Sequence, residues 1–124
     1  MHEVQALRSR HYVQQISRVD QIWDWLSQKH GEVTAVNAPH AVHSEKYNYA
    51  ELARLIDSAA VGFSSLEIKS DDVVALFAEN SPRWLVADQA LMRLGAADAV
   101  RGASAPVEEL RYILQDSNSI ALIV

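Results

Sequence analysis

The sequence has 124 residues, of which 49% are hydrophobic, and this is enough for one globular domain with a core of its own. Eleven Lys and Arg against sixteen Asp and Glu give a formal charge of -5 with no basic run, which argues against DNA or RNA as a partner. Cysteine is absent, so disulfides, thiolate nucleophiles and cysteine-bound zinc are excluded.

The first part of the chain shows no targeting or membrane signal. No apolar core follows Met1, and nowhere are eighteen consecutive residues apolar, so we expect a soluble, cytoplasmic protein without a transmembrane segment. The sequence leaves open whether the protein contacts a membrane surface peripherally. Residues 1–15 have no firm apolar period and are predicted to form a flexible arm.

A first helix is predicted from Ile16, because apolar residues then recur at helical spacing as far as Leu26. Gly31 follows a basic last turn and marks its end. Trp23 lies on the apolar stripe and is interpreted as a packing anchor rather than a ligand-stacking surface. Trp25 receives no role from the pattern.

A short hairpin is predicted next, with strands at residues 34–36 and 46–47 and a turn at residues 37–39. His40 and His43 lie in this connection. Two imidazoles three positions apart could share a metal ion, but Pro39 precedes them and no third ligand is near in sequence. We therefore interpret them as loop histidines.

The following helix has the strongest signals, with Asn48 as cap and Glu51 completing a capping box. Its apolar stripe is expected to lie on the sheet that begins at Val73. Asp71 and Asp72 then end the connection; they could bind Mg²⁺, but turn residues are the preferred interpretation. The stripe consists of Leu52, Leu55, Ile56, Ala59, Phe63 and Leu66.

Residues 73–124 predict an α/β fold, a partial doubly wound parallel sheet of β-α-β-α-β order, preceded by the helices and the short hairpin. Apolar strands are expected at residues 73–77, 96–100 and 119–124. Ser81 and Pro82 begin one helix and Gly95 ends it in the left-handed conformation. The helix after Pro106 presents Val107, Leu110, Ile113 and Leu114 on one face.

Several blocks of this sequence resemble the beginning of AMP-forming acyl-activating enzymes. They are YAEL at 49–52, VALFAENSPRW at 74–84, LGAADAVRG at 94–102, PVEEL at 106–110 and YILQDS at 112–117. The order and spacing match from about residue 16 onwards, most closely in long-chain fatty acid ligases. Residues 100–106 resemble the acyl-acyl carrier protein synthetases of cyanobacteria and plastids.

The resemblance implies an ATP- and Mg²⁺-dependent ligase. Such an enzyme forms an acyl-adenylate from a fatty acid and transfers the acyl group to the phosphopantetheine thiol of CoA or an acyl carrier protein. Residues 16–124 would be the N-terminal portion of its large domain, cut off before the family's Ser/Thr/Gly-rich phosphate loop, its adenine and ribose motifs and its C-terminal lysine. No catalytic, cofactor-binding or metal-binding residue is therefore assigned, and no activity is expected of this chain alone.

The resemblance also marks two departures and one structural role. The family usually has Gly at the positions of Glu67 and Asp71; Asp tolerates the left-handed conformation, but Glu67 is expected to force a different helix end. Arg101 is expected to pair with an acid elsewhere in the intact enzyme. The terminal strand and the nearly all-apolar helix after Ser81 predict missing neighbours, so this chain alone is expected to be marginally stable or to self-associate.

The alternative hypothesis is a small self-contained α/β binding or interaction module. Its contacts would come from the loops after the first two parallel strands, where Arg101 near a helix start could hold an anion, although Glu108 and Glu109 compete for that role. The candidate side chains are Glu79, Asn80, Arg83, Arg101 and Ser104. A reading frame that continues into a Ser/Thr/Gly-rich loop ending in Pro-Lys would favour the ligase.

Overall fold

The computed structural model describes residues 16–124, so the arm predicted for residues 1–15 lies outside the described residues. Within these described residues, a 3₁₀ turn at Val19–Gln21 precedes four helices and five strands. The helices are α1 (Ile22–His30), α2 (Tyr49–Ser65), α3 (Pro82–Leu94) and α4 (Val107–Asp116). The strands are β1 (Thr34–Ala38), β2 (Glu45–Asn48), β3 (Val73–Phe77), β4 (Ala97–Arg101) and β5 (Ala121–Ile123).

The predicted parallel sheet is confirmed, with the strand order β4-β3-β5. β3 has the predicted bounds and is the central strand. Val74 pairs with Asp98 on one side and Ala121 on the other, which sets the register of all three strands. β4 begins and ends one residue later than predicted, and β5 is shorter than the predicted segment at both ends.

Helices cover both faces of this sheet. Asp98 of β4 lies against Asp88 of α3, whereas Arg101, three positions along the same strand, bonds Glu109 of α4. Because successive side chains in a strand point to opposite faces, α3 and α4 lie on opposite sides. β3 is accordingly buried on both faces from Val74 onwards, as expected for the centre of a doubly wound sheet.

The first helix begins later than predicted. The chain adopts a 3₁₀ turn before α1, and the side chain of Gln21 accepts bonds from the backbone N–H groups of Ser17 and Arg18. These local bonds fix the turn where the apolar spacing alone predicted α-helix. Trp23 is confirmed as a packing anchor, because its Nε1 donates to Gln89 Oε1 of α3 at 2.6 Å.

The hairpin is confirmed, but the turn assigned to residues 37–39 is wrong in part. β1 continues to Ala38, so Asn37 pairs with Lys46 and Ala38 pairs with Glu45. The register shifts between Thr34 and Val36, which is a bulge near the start of the strand. The connection therefore lies at residues 39–44, where His40 and His43 are both exposed.

Helix α2 begins as predicted, with the side chains and backbones of Asn48 and Glu51 bonded reciprocally. The expected packing partner was wrong, because α2 packs mainly on α3 and α1 rather than on the sheet. The buried face of α2 is therefore rotated relative to the predicted apolar stripe. Ala53 and Ala60 are buried beside Leu52 and Ile56, while Leu55 and Leu66 are exposed.

Three helices end in the same way. After α2, the N–H of Ile68 bonds the carbonyl of Phe63 at 3.2 Å and the N–H of Glu67 bonds that of Ser64 at 3.0 Å. Gly95 after α3 and Asn118 after α4 occupy the equivalent left-handed position. The expectation that Glu67 forces a different helix end was wrong: Glu67 has φ 66°, and buried Ile68 holds the motif in place.

Glu67 and Gly95 offer a matched test of this backbone strain. Replacement of Glu67 by Gly is expected to raise the free energy of unfolding by about 0.5–1 kcal/mol, because Gly carries no Cβ penalty in the left-handed region. Replacement of Gly95 by Ala is expected to lower it by about 1 kcal/mol, since φ is 75° and a Cβ would lie 2.8 Å from Ser70 Oγ. Urea unfolding of both variants measures the two changes in unfolding free energy. If both variants were stabilised, or both destabilised, the assignment of backbone strain to Glu67 would be contradicted.

Helix α3 has neighbours on several sides within the described residues, namely α2, the sheet, the 3₁₀ turn and β1. Its cap at Ser81 and its end at Gly95 are confirmed. Leu91 joins Ile68 and Val74 in the core between α3 and the sheet. The stripe predicted for α4 holds only in part, because Val107 is 67% exposed.

Candidate functional site

The candidate side chains lie at the carboxyl ends of β3 and β4. These strands are adjacent, and their connections leave towards helices on opposite faces of the sheet. In doubly wound folds such a change of direction marks the crevice where ligands bind, so these two loops are the candidate region here. The two loops are residues 78–81 after β3 and residues 102–106 after β4.

Glu79 lies between these two loops. Its Oε1 accepts a bond from Ser104 Oγ at 3.2 Å, and a Cβ on Gly102 would lie 3.1 Å from the same oxygen. The carboxylate therefore lies close to the backbone of the second loop and joins the two loops. A negative side chain at this place opposes the binding of a phosphate group.

Arg101 pairs within this chain. Its Nε lies 2.6 Å from Glu109 Oε1 in the first turn of α4, which corrects the expectation of a partner acid elsewhere in the intact enzyme. The hydrogen bond and charge of Glu109 raise the pKa of Arg101, and the same bond lowers the pKa of Glu109. The guanidinium is engaged by an acid that also complements the helix dipole, so its strongest anionic contact is Glu109.

The remaining candidates do not converge on the crevice. Arg83 Nε lies 3.0 Å from Glu45 Oε1, so this cation links α3 to the hairpin. Asn80 is exposed. Of the five side chains that sequence reasoning proposed, the structure brings Glu79 and Ser104 into direct contact, and Arg101 acts on α4 beside them.

The metal hypotheses find no support among the described residues. His40 and His43 are exposed loop residues. Asp72 accepts a bond from the backbone N–H of Lys69 at 2.7 Å, as a turn residue does. Within residues 16–124, no group of three or more His, Asp or Glu side chains is arranged to hold a metal ion.

A half-buried carboxyl pair was missed by sequence reasoning. Asp98 on β4 and Asp88 on α3 share a hydrogen bond, and burial, that bond and the charge of Asp88 raise the pKa of Asp98 to about 6. Gln89 Nε2 donates to Asp88 Oδ2 at 2.6 Å, and Trp23 in turn donates to Gln89. The available signal was an Asp inside an otherwise apolar strand, which needs a polar partner when buried.

These groups join elements of the fold rather than form a reaction centre. Glu79 joins the two loops, and the pair Asp88 and Asp98 lies between a helix and a strand. The loops at the sheet edge place the carboxylate of Glu79 where a phosphate cradle would need N–H groups or cations.

Comparison with known proteins shows the family to which this chain belongs. The sequence profile of AMP-binding enzymes matches residues 23–124. The chain belongs to the AMP-binding enzyme family. This match favours the first of the two sequence-based hypotheses over the self-contained module.

Two curated relatives align with the chain over most or part of its length. A chloroplastic long-chain-fatty-acid–[acyl-carrier-protein] ligase of Arabidopsis thaliana is 40% identical over 119 residues, which are 96% of this chain and 16% of that protein. A long-chain-fatty-acid–CoA ligase of Mycobacterium tuberculosis is 33% identical over 73 residues, 59% of this chain and 12% of that protein. The chain thus spans about a sixth or less of the lengths of these relatives.

The fold is also that of the AMP-binding enzymes. The N-terminal subdomain of NpsA from Klebsiella oxytoca superposes with a TM-score of 0.77 at 25% identity, over 87% of this chain and 27% of that one. The α/β architecture predicted from the sequence is confirmed by this likeness. Among residues 16–124, none of the helices combines the length and the hydropathy that a membrane crossing requires.

Proposed function

We propose that this chain is the N-terminal part of an ATP-dependent fatty acid ligase. The observation that carries the proposal is the 40% identity, over 96% of the chain, to a protein named as a ligase of long-chain fatty acids and acyl carrier protein. The match to a fatty acid–CoA ligase supports the acid as substrate and leaves the thiol acceptor as CoA or an acyl carrier protein.

The reaction has two steps. A carboxylate oxygen of the fatty acid attacks the α-phosphorus of ATP, and pyrophosphate leaves with the electrons of the broken P–O bond. The phosphopantetheine thiolate then attacks the acyl carbon of the acyl-adenylate, and AMP leaves. Both steps need positive charge and N–H groups around the phosphates.

Residues 16–124 serve this reaction as a scaffold, being the N-terminal portion of the large domain. The phosphates of ATP bind in other parts of the enzyme, because the carboxylate of Glu79 lies between the two loops at this edge of the sheet. No catalytic, cofactor-binding or metal-binding role is assigned to a residue of this chain. The cytoplasmic location expected from composition stays a prediction, and the Arabidopsis relatives are named as chloroplastic.

The whole enzyme that contains this chain tests the proposal. Pyrophosphate release is measured with ATP and saturated fatty acids of graded length, and with an aromatic acid as control. Acyl transfer is then measured with CoA and with an acyl carrier protein separately. Release that depends on the long-chain acids supports the proposal; release with the aromatic acid alone contradicts it.

The chain itself is expected not to bind ATP. Titration calorimetry with Mg-ATP should show no heat above that of dilution, because the carboxylate of Glu79 lies between the two loops at the sheet edge and repels phosphate. The Glu79→Gln variant removes that charge and serves as the control. Micromolar affinity of the unaltered chain for ATP would contradict the scaffold role.

A further inference from the structure

Two adjoining hollows lie beside α2, on the side that faces the hairpin and the start of α3. One has a volume of about 310 Å³ and the other of about 300 Å³. Tyr47 of β2 and Leu55 of α2 line both, so the two hollows form one continuous groove, which we call the α2 groove. Its apolar floor consists of Tyr47, Leu55, Ala59, Phe63, Val86 and Ala87.

The floor of the α2 groove follows from the packing of α2. Leu52 and Ile56 are completely buried, because α2 packs mainly on α3 and α1. Leu55, Ala59 and Phe63 recur at steps of four, so they line the adjoining face of the same helix over about 12 Å. The sequence pattern predicted that these three side chains would be buried on the sheet, and the structure leaves Leu55 37% exposed and the other two half-buried.

Helix α1 contacts α2 from another side. Asp57 of α2 meets Arg93 together with Asp24 of α1. Asp57 is two positions from Leu55, and residues two apart in a helix do not face the same way. Ile16, the first described residue, adjoins α1. The α2 groove is therefore formed by β2, α2 and α3 on the far side of α2 from Ile16.

Arg54 stands in the first hollow without an acidic partner among the described residues. Residues 16–124 contain six arginines, and five of them form ion pairs with Asp or Glu. Arg54 is the sixth, and its Nε donates to the backbone carbonyl of Ala50, in its own helix, at 3.4 Å. Glu51 also lines this hollow, but its carboxylate accepts the N–H of Asn48 in the capping box. The exposed guanidinium of Arg54 therefore keeps donors and charge for an anion from outside the chain.

The second hollow has its polar groups paired. Arg83 Nε lies 3.0 Å from Glu45 Oε1, and the Glu45 side chain is only 13% exposed. Between this ion pair and Arg54 the lining is the apolar floor. One unpaired cation beside a long apolar floor is complementary to a ligand with one anionic head and an apolar tail.

The size of the α2 groove favours a small ligand over a protein partner. Clefts that bind small ligands have volumes of about 300–1,000 Å³ and a mostly apolar lining with few polar groups. A stable protein interface needs roughly 1,000 Å² or more of buried surface. A long-chain fatty acid is an alkyl chain with one carboxylate, and the choice of this ligand rests on the function proposed above.

We propose that the α2 groove binds a long-chain fatty acid, with its carboxylate at Arg54 and its alkyl chain on the floor between α2, β2 and the start of α3. This assigns a ligand-binding role to a part of the chain to which no catalytic residue is assigned.

Photolabelling of the whole enzyme that contains this chain tests the site. The probe is hexadecanoic acid with a diazirine in the middle of its chain, added without ATP so that no acyl-adenylate forms. After irradiation and trypsin digestion, label is expected on the peptide of residues 55–69, which contains Leu55, Ala59 and Phe63. The peptide of residues 102–111 is the internal reference. Label at residues 55–69 no stronger than at 102–111, as when another part of the enzyme or a second copy covers the groove, would overturn the proposal.

Unlabelled competitors test the chemistry of recognition. Hexadecanoate should displace the probe from residues 55–69, and octanoate should need a concentration at least about tenfold higher, because fewer methylenes are buried. Hexadecanol has the same chain without the charge and should need about fivefold more than the acid, since the contact with Arg54 is lost. Equal potency of the acid and the alcohol, or of the long and the short acid, would overturn the proposal.

Substitutions test the two parts of the groove separately. Arg54→Gln should raise the hexadecanoate concentration needed for displacement about fivefold, whereas Arg54→Lys keeps the charge and should stay within about twofold. Ala59→Trp fills the floor and should lower the label at residues 55–69 at least about fivefold. The matched controls are Arg111→Gln on α4 and Val61→Trp, an exposed position on another face of α2, and both should stay within about twofold. Unchanged binding in either Arg54→Gln or Ala59→Trp would overturn the proposal.

Pyrophosphate release by the same enzyme preparation separates this inference from the proposed function. Release that depends on long-chain acids, without label at residues 55–69, would overturn the inference and leave the proposed function standing. Label at residues 55–69 without such release would contradict the proposed function and support the binding site.

Discussion

Replacement of Arg93 by Met is expected to lower the free energy of unfolding by about 3 kcal/mol. Arg93 is on α3, and its side chain is only 19% exposed. Its guanidinium bonds Asp24 of α1 and Asp57 of α2, and it also donates to the backbone carbonyl of Asp20 at 3.4 Å. One cation therefore joins three helices.

The expected loss of unfolding free energy arises because the substitution leaves two carboxylates and a backbone carbonyl without their common donor. Without the guanidinium, the carboxylates of Asp24 and Asp57 face each other's charge, and the carbonyl of Asp20 loses a donor. Both carboxylates are about half-exposed, so water compensates part of the loss and the value stays below that of a fully buried triad. Met keeps most of the side-chain volume, so a cavity contributes little.

Urea unfolding followed by tryptophan fluorescence measures the effect. Arg111→Met is the matched control, because Arg111 forms an exposed pair with Glu108 on α4 and should cost no more than about 0.5 kcal/mol. Arg93→Lys should fall between the two, since an ammonium cannot present the same fork of donors to two acids. Equal losses for the Met variants at positions 93 and 111 would show that the three-helix contact contributes nothing.

The elements that the sequence predicted correctly depend on short-range chemistry. The run at residues 73–77 could only be a buried strand, and the caps at Asn48, Ser81 and Gly95 are read from single side chains acting on neighbouring backbone. Parallel pairing followed because helices of ten residues or more separate the strands. Each of these inferences needs no knowledge of the packing between distant elements.

The features that the sequence missed depend on contacts between distant parts of the chain. Nothing near Arg93 in the sequence indicates that Asp24 and Asp57 will reach it, and the stripe of α2 is rotated because α1 and α3 share the burial of this helix. Glu67 adopts a left-handed conformation against its own preference, since buried Ile68 and the helix-end bonds outweigh the local cost.

The candidate site shows the same division. The loops after β3 and β4, which the sequence offered as contacts of a binding module, lie at the same edge because the carboxyl ends of adjacent parallel strands meet there. The sequence could not predict that Glu79 would bridge them or that Glu109 would be the partner of Arg101. Those contacts depend on side-chain directions that are set only once α4 is placed on the sheet.

Replacement of Asp98 by Asn is expected to stabilise the chain at pH 7.5 by about 1–2 kcal/mol and to have little effect near pH 4. Burial, the hydrogen bond with Asp88 and the charge of Asp88 raise the pKa of Asp98 to about 6, above the usual value near 4 for an unfolded chain. Within residues 16–124, no hydrogen-bond donor contacts the buried Oδ2 of Asp98.

The sign follows from which state binds the proton more tightly. Because the pKa is raised in the folded chain, the protonated pair contributes its full stability below about pH 4, and this contribution is lost as the pH rises through about 6. A pKa shift of about two units corresponds to about 2.7 kcal/mol of stability for a group shielded from water. Because the Asp98 carboxyl is partly exposed, solvent screening reduces this contribution to the expected 1–2 kcal/mol, roughly. Asn keeps a donor towards Asp88 at every pH and carries no charge.

The measurement is the difference in unfolding free energy between Asp98→Asn and the unaltered chain at pH 4, 5, 6, 7 and 7.5. Taking the difference removes the contributions of other titrating groups, which both chains share. The difference should grow between about pH 4 and pH 6, with a midpoint near pH 5, and level off above pH 6. Asp116→Asn, at the exposed end of α4, removes the same charge and should change stability by no more than about 0.5 kcal/mol at any of these values. A difference that is constant from pH 4 to 7.5 would mean that Asp88 and Asp98 do not share a proton in the folded chain.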